Sequence, residues 1–172
     1  MLRITRKRVV ATTSALTVLV ASILVGATMA WANGPVVHHV TAGGPDACIA
    51  LGFEHPGCDA NFSLVANQYA GGDVSGQYSD RFANGNGFHA VVDCLAVTGN
   101  DAWISGFITH GRIDDIDLAG LEVLTRVRDN GTSQNDPADQ ISFSFIDTEL
   151  PDCTEQPDLP LLDTPQGQVR VR

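Results

Sequence analysis

Phe88-His89-Ala90-Val91-Val92-Asp93-Cys94-Leu95-Ala96-Val97-Thr98-Gly99-Asn100-Asp101-Ala102-Trp103-Ile104-Ser105-Gly106-Phe107-Ile108-Thr109 reads as a β-hairpin. Phe88, Ala90, Val92 and Cys94 recur at every second position, which puts them on one face of a long strand. Thr98-Gly99-Asn100-Asp101 is turn chemistry, because Gly and Asn tolerate positive φ and Asp and Asn cap the backbone. Ala102 to Thr109 then returns. The alternation predicts that Cys94 points inward with Ala90 and Val92. It puts Trp103 on the face of Ser105 and Phe107, where packing in a core accounts for it better than a sugar-stacking platform.

Working outward, the same period recurs between Gly-, Asn-, Asp- and Pro-bounded breaks. Val36 to Thr41 reads as a first strand, Phe62, Leu64 and Ala66 as a second, and Val74 to Phe82 as a third. Leu121, Val123, Thr125 and Val127 alternate on the far side of the hairpin. Ile141, Phe143 and Phe145 follow, and Val169 and Val171 mark a last strand. Gly111 to Ala119 reads as an acidic loop with a short helical turn. Pro151 to Pro165 reads as a proline-rich tail along the surface. The expected fold is therefore all-β: a single-domain β-sandwich or closed β-barrel of about eight mostly antiparallel strands.

The N-terminus has a different character. Arg3, Arg6, Lys7 and Arg8 precede the apolar run Val9 to Val25, and Ala30-Trp31-Ala32 gives a small-x-small cleavage pattern. This is the layout of a secretory signal peptide over residues 1–32, leaving a secreted domain over residues 33–172. A retained membrane anchor is the alternative, since the apolar run is long enough to span a bilayer. Cleavage after Ala32 removes four of the ten basic residues and none of the 20 acids. Six arginines against 20 acids leave a net charge of −14 on the remaining 140 residues. That excludes a nucleic-acid binder, which needs a basic surface. Once the signal is cut, no stable membrane insertion is expected.

All four cysteines, Cys48, Cys58, Cys94 and Cys153, fall in the secreted part, and an even count in an exported chain points to disulfides. Sequence alone leaves three pairings open. The physically favoured one joins Cys48 to Cys58 across a short loop holding Gly52, Pro56 and Gly57, and Cys94 to Cys153. The second bond would tether a tail with little apolar periodicity of its own.

Other chemistries are weakly supported. Gly131-Thr132-Ser133-Gln134-Asn135 lacks the second glycine of a nucleophile elbow. His38 and His39 are adjacent, so they face opposite ways, and His89 and Asp93 are too far apart along a strand for one ion. Asp129, Asn130, Asn135, Asp136 and Asp139 offer hard oxygen ligands in one connection, and Asp114, Asp115 and Asp117 in another. Neither set has the EF-hand spacing, and turn chemistry accounts for both. The sequence thus assigns no catalytic residue, no metal ligand and no cofactor.

The His89 to Gly106 run, with Ser75-Gly76-Gln77, Val127-Arg128-Asp129-Asn130-Gly131 and Asp136-Pro137-Ala138-Asp139-Gln140-Ile141-Ser142, resembles uncharacterised small secreted bacterial all-β proteins. The resemblance covers roughly residues 60–172. It implies a compact β-domain and no particular activity. The expectation is a secreted, non-catalytic module of the extracellular space or cell envelope, whose partner would be an extracellular protein or a cell-wall component. The alternative is a small barrel binding a small ligand or metal ion, with isomerase-like or hydrolase-like activity. A filled core favours the module, and a continuous apolar cavity favours the barrel.

Overall fold

A computed structural model describes residues 34–45, 61–82, 85–133 and 135–172. The chain divides into residues 1–30 and 31–172, and the first unit lies outside the described residues. The rest is all-β. Eleven strands run in chain order: β1 (Val36–Pro45), β2 (Asn61–Tyr69), β3 (Val74–Arg81), β4 (Gly87–Thr98), β5 (Asp101–Ile113), β6 (Ile116–Asp117), β7 (Glu122–Arg128), β8 (Gln140–Ser142), β9 (Phe145–Asp147), β10 (Leu161–Asp163) and β11 (Gln168–Val171). They form one antiparallel sheet in the order β10-β8-β7-β5-β4-β3-β2-β1-β11, with β6 beside β5 and β9 beside β7. The sheet curls into an open half-barrel, not a sandwich or a closed barrel.

Eleven strands replace the expected eight because three are too short to show a period. The acidic segment after Gly111 is a tight hairpin in which β5 continues to Ile113 and β6 turns back. The Ile141 to Phe145 alternation is broken into β8 and β9. The proline-rich tail carries β10 and a single 3-10 turn, Cys153–Glu155.

The curl has an identifiable cause. Ala66, Gly76, Val92 and Gly106 lie in one cross-strand row on the inner face. A Cβ on Gly76 would sit 2.1 Å from the Val65 carbonyl oxygen, and one on Gly106 would sit 2.0 Å from that of Val91. Only glycine lets the neighbouring strand come this close, which bends the sheet tightly at its middle. Leu64, Tyr78, Ile104, Ile108, Val123, Val127 and Val169 then fill the concave side and are essentially inaccessible to water.

Two bulges set which residues face out. Val92 pairs with Gly106 but Cys94 pairs with Ser105, so Asp93 is an extra residue. Before it, Phe88, Ala90 and Val92 point into the main core. After it, Leu95 points inward, and Cys94 and Ala96 turn to the convex face. The expectation that Cys94 shares the face of Ala90 and Val92 is thereby corrected. The second bulge is at Thr109, since His89 pairs with His110 while Ala90 pairs with Ile108.

Among the described residues the convex face is covered on one side only. Ala96, Trp103 and Leu124 pack there against Cys153 and Leu159 of the tail. Trp103 Nε1 donates to the Pro157 carbonyl at 2.8 Å, and the Arg126 guanidinium lies 4.8 Å from the indole centroid. Trp103 is therefore core, as its strand position predicts, but in a second core built by the tail. Proline suits such a strap because it follows an extended path and asks for no backbone hydrogen bond at its own nitrogen.

Candidate functional site

Cys94 and Cys153 form a disulfide, with Cα atoms 6.1 Å apart. The expected tether thus joins the tail to the convex face. Cys48 and Cys58 lie outside the described residues. Beside the disulfide is a hollow of about 380 Å³ lined by Asp93, Glu122 and Asp152 among others. Glu122 Oε2 accepts from Leu150 N at 3.1 Å. The Thr154 hydroxyl and backbone N–H hold the Asp152 carboxyl below its usual range. The bulged Asp93 goes the other way: burial raises it, and the charges of Glu122 and Asp152 add to the rise.

That asymmetry gives a pH prediction. A carboxyl raised by folding contributes most below its unfolded value and loses that contribution as pH rises through the folded value. Asp93→Asn therefore raises the melting temperature at pH 7, by no more than about 2 °C given its exposure, and not at pH 3. Thermal melts at the two pH values check it. An equal effect at both would contradict a charge-based cause.

The acidic connection between β7 and β8 is an edge seal. Asp139 Oδ2 accepts from Val169 N at 2.6 Å and its Oδ1 from Asn130 N at 2.8 Å. Asp129 Oδ2 accepts from Val171 N at 3.0 Å and its Oδ1 from Gly131 N at 2.9 Å. Asp136 Oδ2 takes Ser133 N, in the segment that resembled a nucleophile elbow. The edge of β11 that β1 does not pair is thus met by two carboxylates, where a closed barrel would have a strand. In the other acidic segment, Asp114 is held by Asn86 and Asp117 Oδ1 accepts from Ala119 N. On the concave side, Asp80 accepts from Tyr78 Oη and from Ser144 Oγ, tying the β8–β9 connection across to β3.

The convex face of β2 to β5, left uncovered by the described residues, is ordered in rungs. The first rung, Val65, Gln77, Val91 and Phe107, carries three apolar side chains, each at least 39% exposed. The next is Ser63, Ser79, His89 and His110, with the two imidazole centroids 5.3 Å apart. The third is Arg81, Gly87 and Arg112. Arg81, His89, His110 and Arg112 line one groove of about 710 Å³, together with Phe82 and Asn86. Within about 13 Å, the spacing of four residues along a strand, the surface changes from apolar to imidazole to guanidinium.

The Thr109 bulge makes the imidazole pair. Ile108 faces inward, so strict alternation would have buried His110 as well. Thr109 Oγ1 donates to the His89 carbonyl at 2.9 Å, which leaves it to accept from His110 Nδ1 at 3.2 Å. The proton on Nδ1 leaves Nε2 directed away from that bond. His39 is held by Asn67 at 2.7 Å on a different part of the sheet, and His55 lies outside the described residues.

The chain matches no protein-family model, and comparison with curated proteins and with solved structures gives no match either. Any assignment therefore comes from the chain's own geometry.

Proposed function

We propose that this chain is an exported, non-catalytic β-module of the extracellular space or cell envelope that recognises its partner on the uncovered convex face of β2 to β5. The observation that carries this reading is a contrast between the two sides of the sheet. The concave side is packed with Leu64, Tyr78, Ile104, Ile108 and Val123, while the convex side leaves Val65, Val91 and Phe107 in water as one row. Solvated apolar side chains aligned across three strands mark a contact surface more than scattered ones do. A ligand-holding barrel would need the inner volume that these side chains occupy. The signal-like leader and the Cys94–Cys153 bond support an oxidising compartment. Among the described residues no helix is long and apolar enough to cross a membrane.

The test is co-sedimentation of the exported protein with a cell-envelope preparation. The wild type is expected in the pellet. Val91→Glu with Phe107→Glu should weaken binding at least about tenfold, the cost of roughly 1.4 kcal/mol at a contact surface. Equal pelleting of the variant, or a wild type that stays in solution, would overturn the reading.

A further inference from the structure

Resting on that reading of the convex face, we infer that the groove at its β3–β5 end binds a compact oxyanion, a phosphate or sulfate group, between Arg81 and Arg112. The two arginines occupy the same cross-strand row on either side of Gly87. Their Cα atoms are therefore two strand spacings apart, roughly 10 Å, and no side chain rises between them. Two guanidinium groups can close on one tetrahedral anion from opposite sides, each offering paired N–H donors.

Charge pairing separates these residues from the two arginines of β7. The secreted part has six arginines against 20 acids. Arg126 is paired with Asp101 and Asp158, and Arg128 with Asp101. Arg81 and Arg112 form no ion pair among the described residues, although acids surround them. Three of the nearby carboxylates already accept other hydrogen bonds. Asp117, opposite Arg112 in the β5–β6 register, accepts from Ala119 N. Asp114 is bonded to Asn86, and Asp80 takes the Tyr78 and Ser144 hydroxyls on the concave side. The imidazoles of the next rung line the same groove.

The size of the ligand group follows from the rest of the surface. A net charge of −14 repels an extended polyanion wherever it leaves the groove. A single phosphate or sulfate, free or esterified on an otherwise neutral chain, avoids that repulsion. The neighbouring apolar rung can then hold an uncharged portion of an esterified ligand.

Calorimetric titration of the exported protein with inorganic phosphate, sulfate and glycerol phosphate, at constant ionic strength set with chloride, tests the inference. Saturable binding of at least one of them is expected. Arg81→Gln with Arg112→Gln should raise Kd tenfold or more. Arg170→Gln, an exposed arginine on β11, should leave it unchanged. Glycerol phosphate binding as tightly as phosphate would place the group on an ester, and preference for the inorganic ions would make it a free anion. Absence of saturable binding, or equal loss in the Arg170→Gln control, would overturn the inference. If envelope binding still depended on Val91 and Phe107 in that case, the contact-face reading would stand without the oxyanion.

Discussion

Replacing Cys94 and Cys153 together by serine is expected to lower stability by about 4 kcal/mol, on the chain-entropy estimate for a bond closing 59 residues. For a domain of this size that is a fall of roughly 10 °C in melting temperature. The loss has a second, local signature. Cys153 sits in the tail-built core over Trp103, and the tail also contributes Leu159 and the Pro157 carbonyl. Loosening the tail exposes the indole, so Trp103 fluorescence should shift to the red before global unfolding. Trp103 is the single tryptophan of residues 33–172. Denaturant titration followed by fluorescence checks both effects, with the wild type under reductant as the matched control. An unchanged midpoint and spectrum would mean that the tail is held by its packing alone.

Asp139→Ala is expected to cost about 3 kcal/mol. Asp139 is 6% exposed and holds two backbone N–H groups, of Asn130 and Val169, across the join between the β7–β8 connection and β11. Hydrogen bonds to a charged acceptor contribute about 1.5–3 kcal/mol each, and Val169 N would be left buried without an acceptor. Asp139→Asn keeps one acceptor and should recover part of the loss. Amide exchange at Val169 is the sharper readout: it should accelerate strongly in the alanine variant and less in the asparagine one. Unaltered exchange would show that the edge is sealed by something other than this carboxylate.

How far the sequence speaks for the fold can be judged residue by residue. Period-two alternation locates β1 to β5, β7 and β11, because each is long enough to repeat a face. It runs β8 and β9 together as one strand and gives no sign of β6 and β10, where two or three residues cannot express a period. Larger consequences came from single inserted residues. The bulge at Asp93 turned Cys94 outward, and the bulge at Thr109 brought His110 beside His89. Neither has a composition signal, since a bulge is a property of the pair of strands. The acidic connection was recognised as turn chemistry, but its role against β11 depends on residues 30 and 42 positions apart in the chain. The arginine rung was invisible for the same reason. Arg81 and Arg112 meet only through Gly87, a residue whose sequence context suggests nothing more than a turn.

Whether residues 33–172 form an exported, oxidised domain is decided by non-reducing mass spectrometry of the protein recovered outside the cell. The predicted result is a chain beginning at Asn33 and a digest peptide linking Cys94 to Cys153. A mass that retains Val9 to Ala30, or Cys94 recovered as a free thiol or bonded to Cys48 or Cys58, would contradict it.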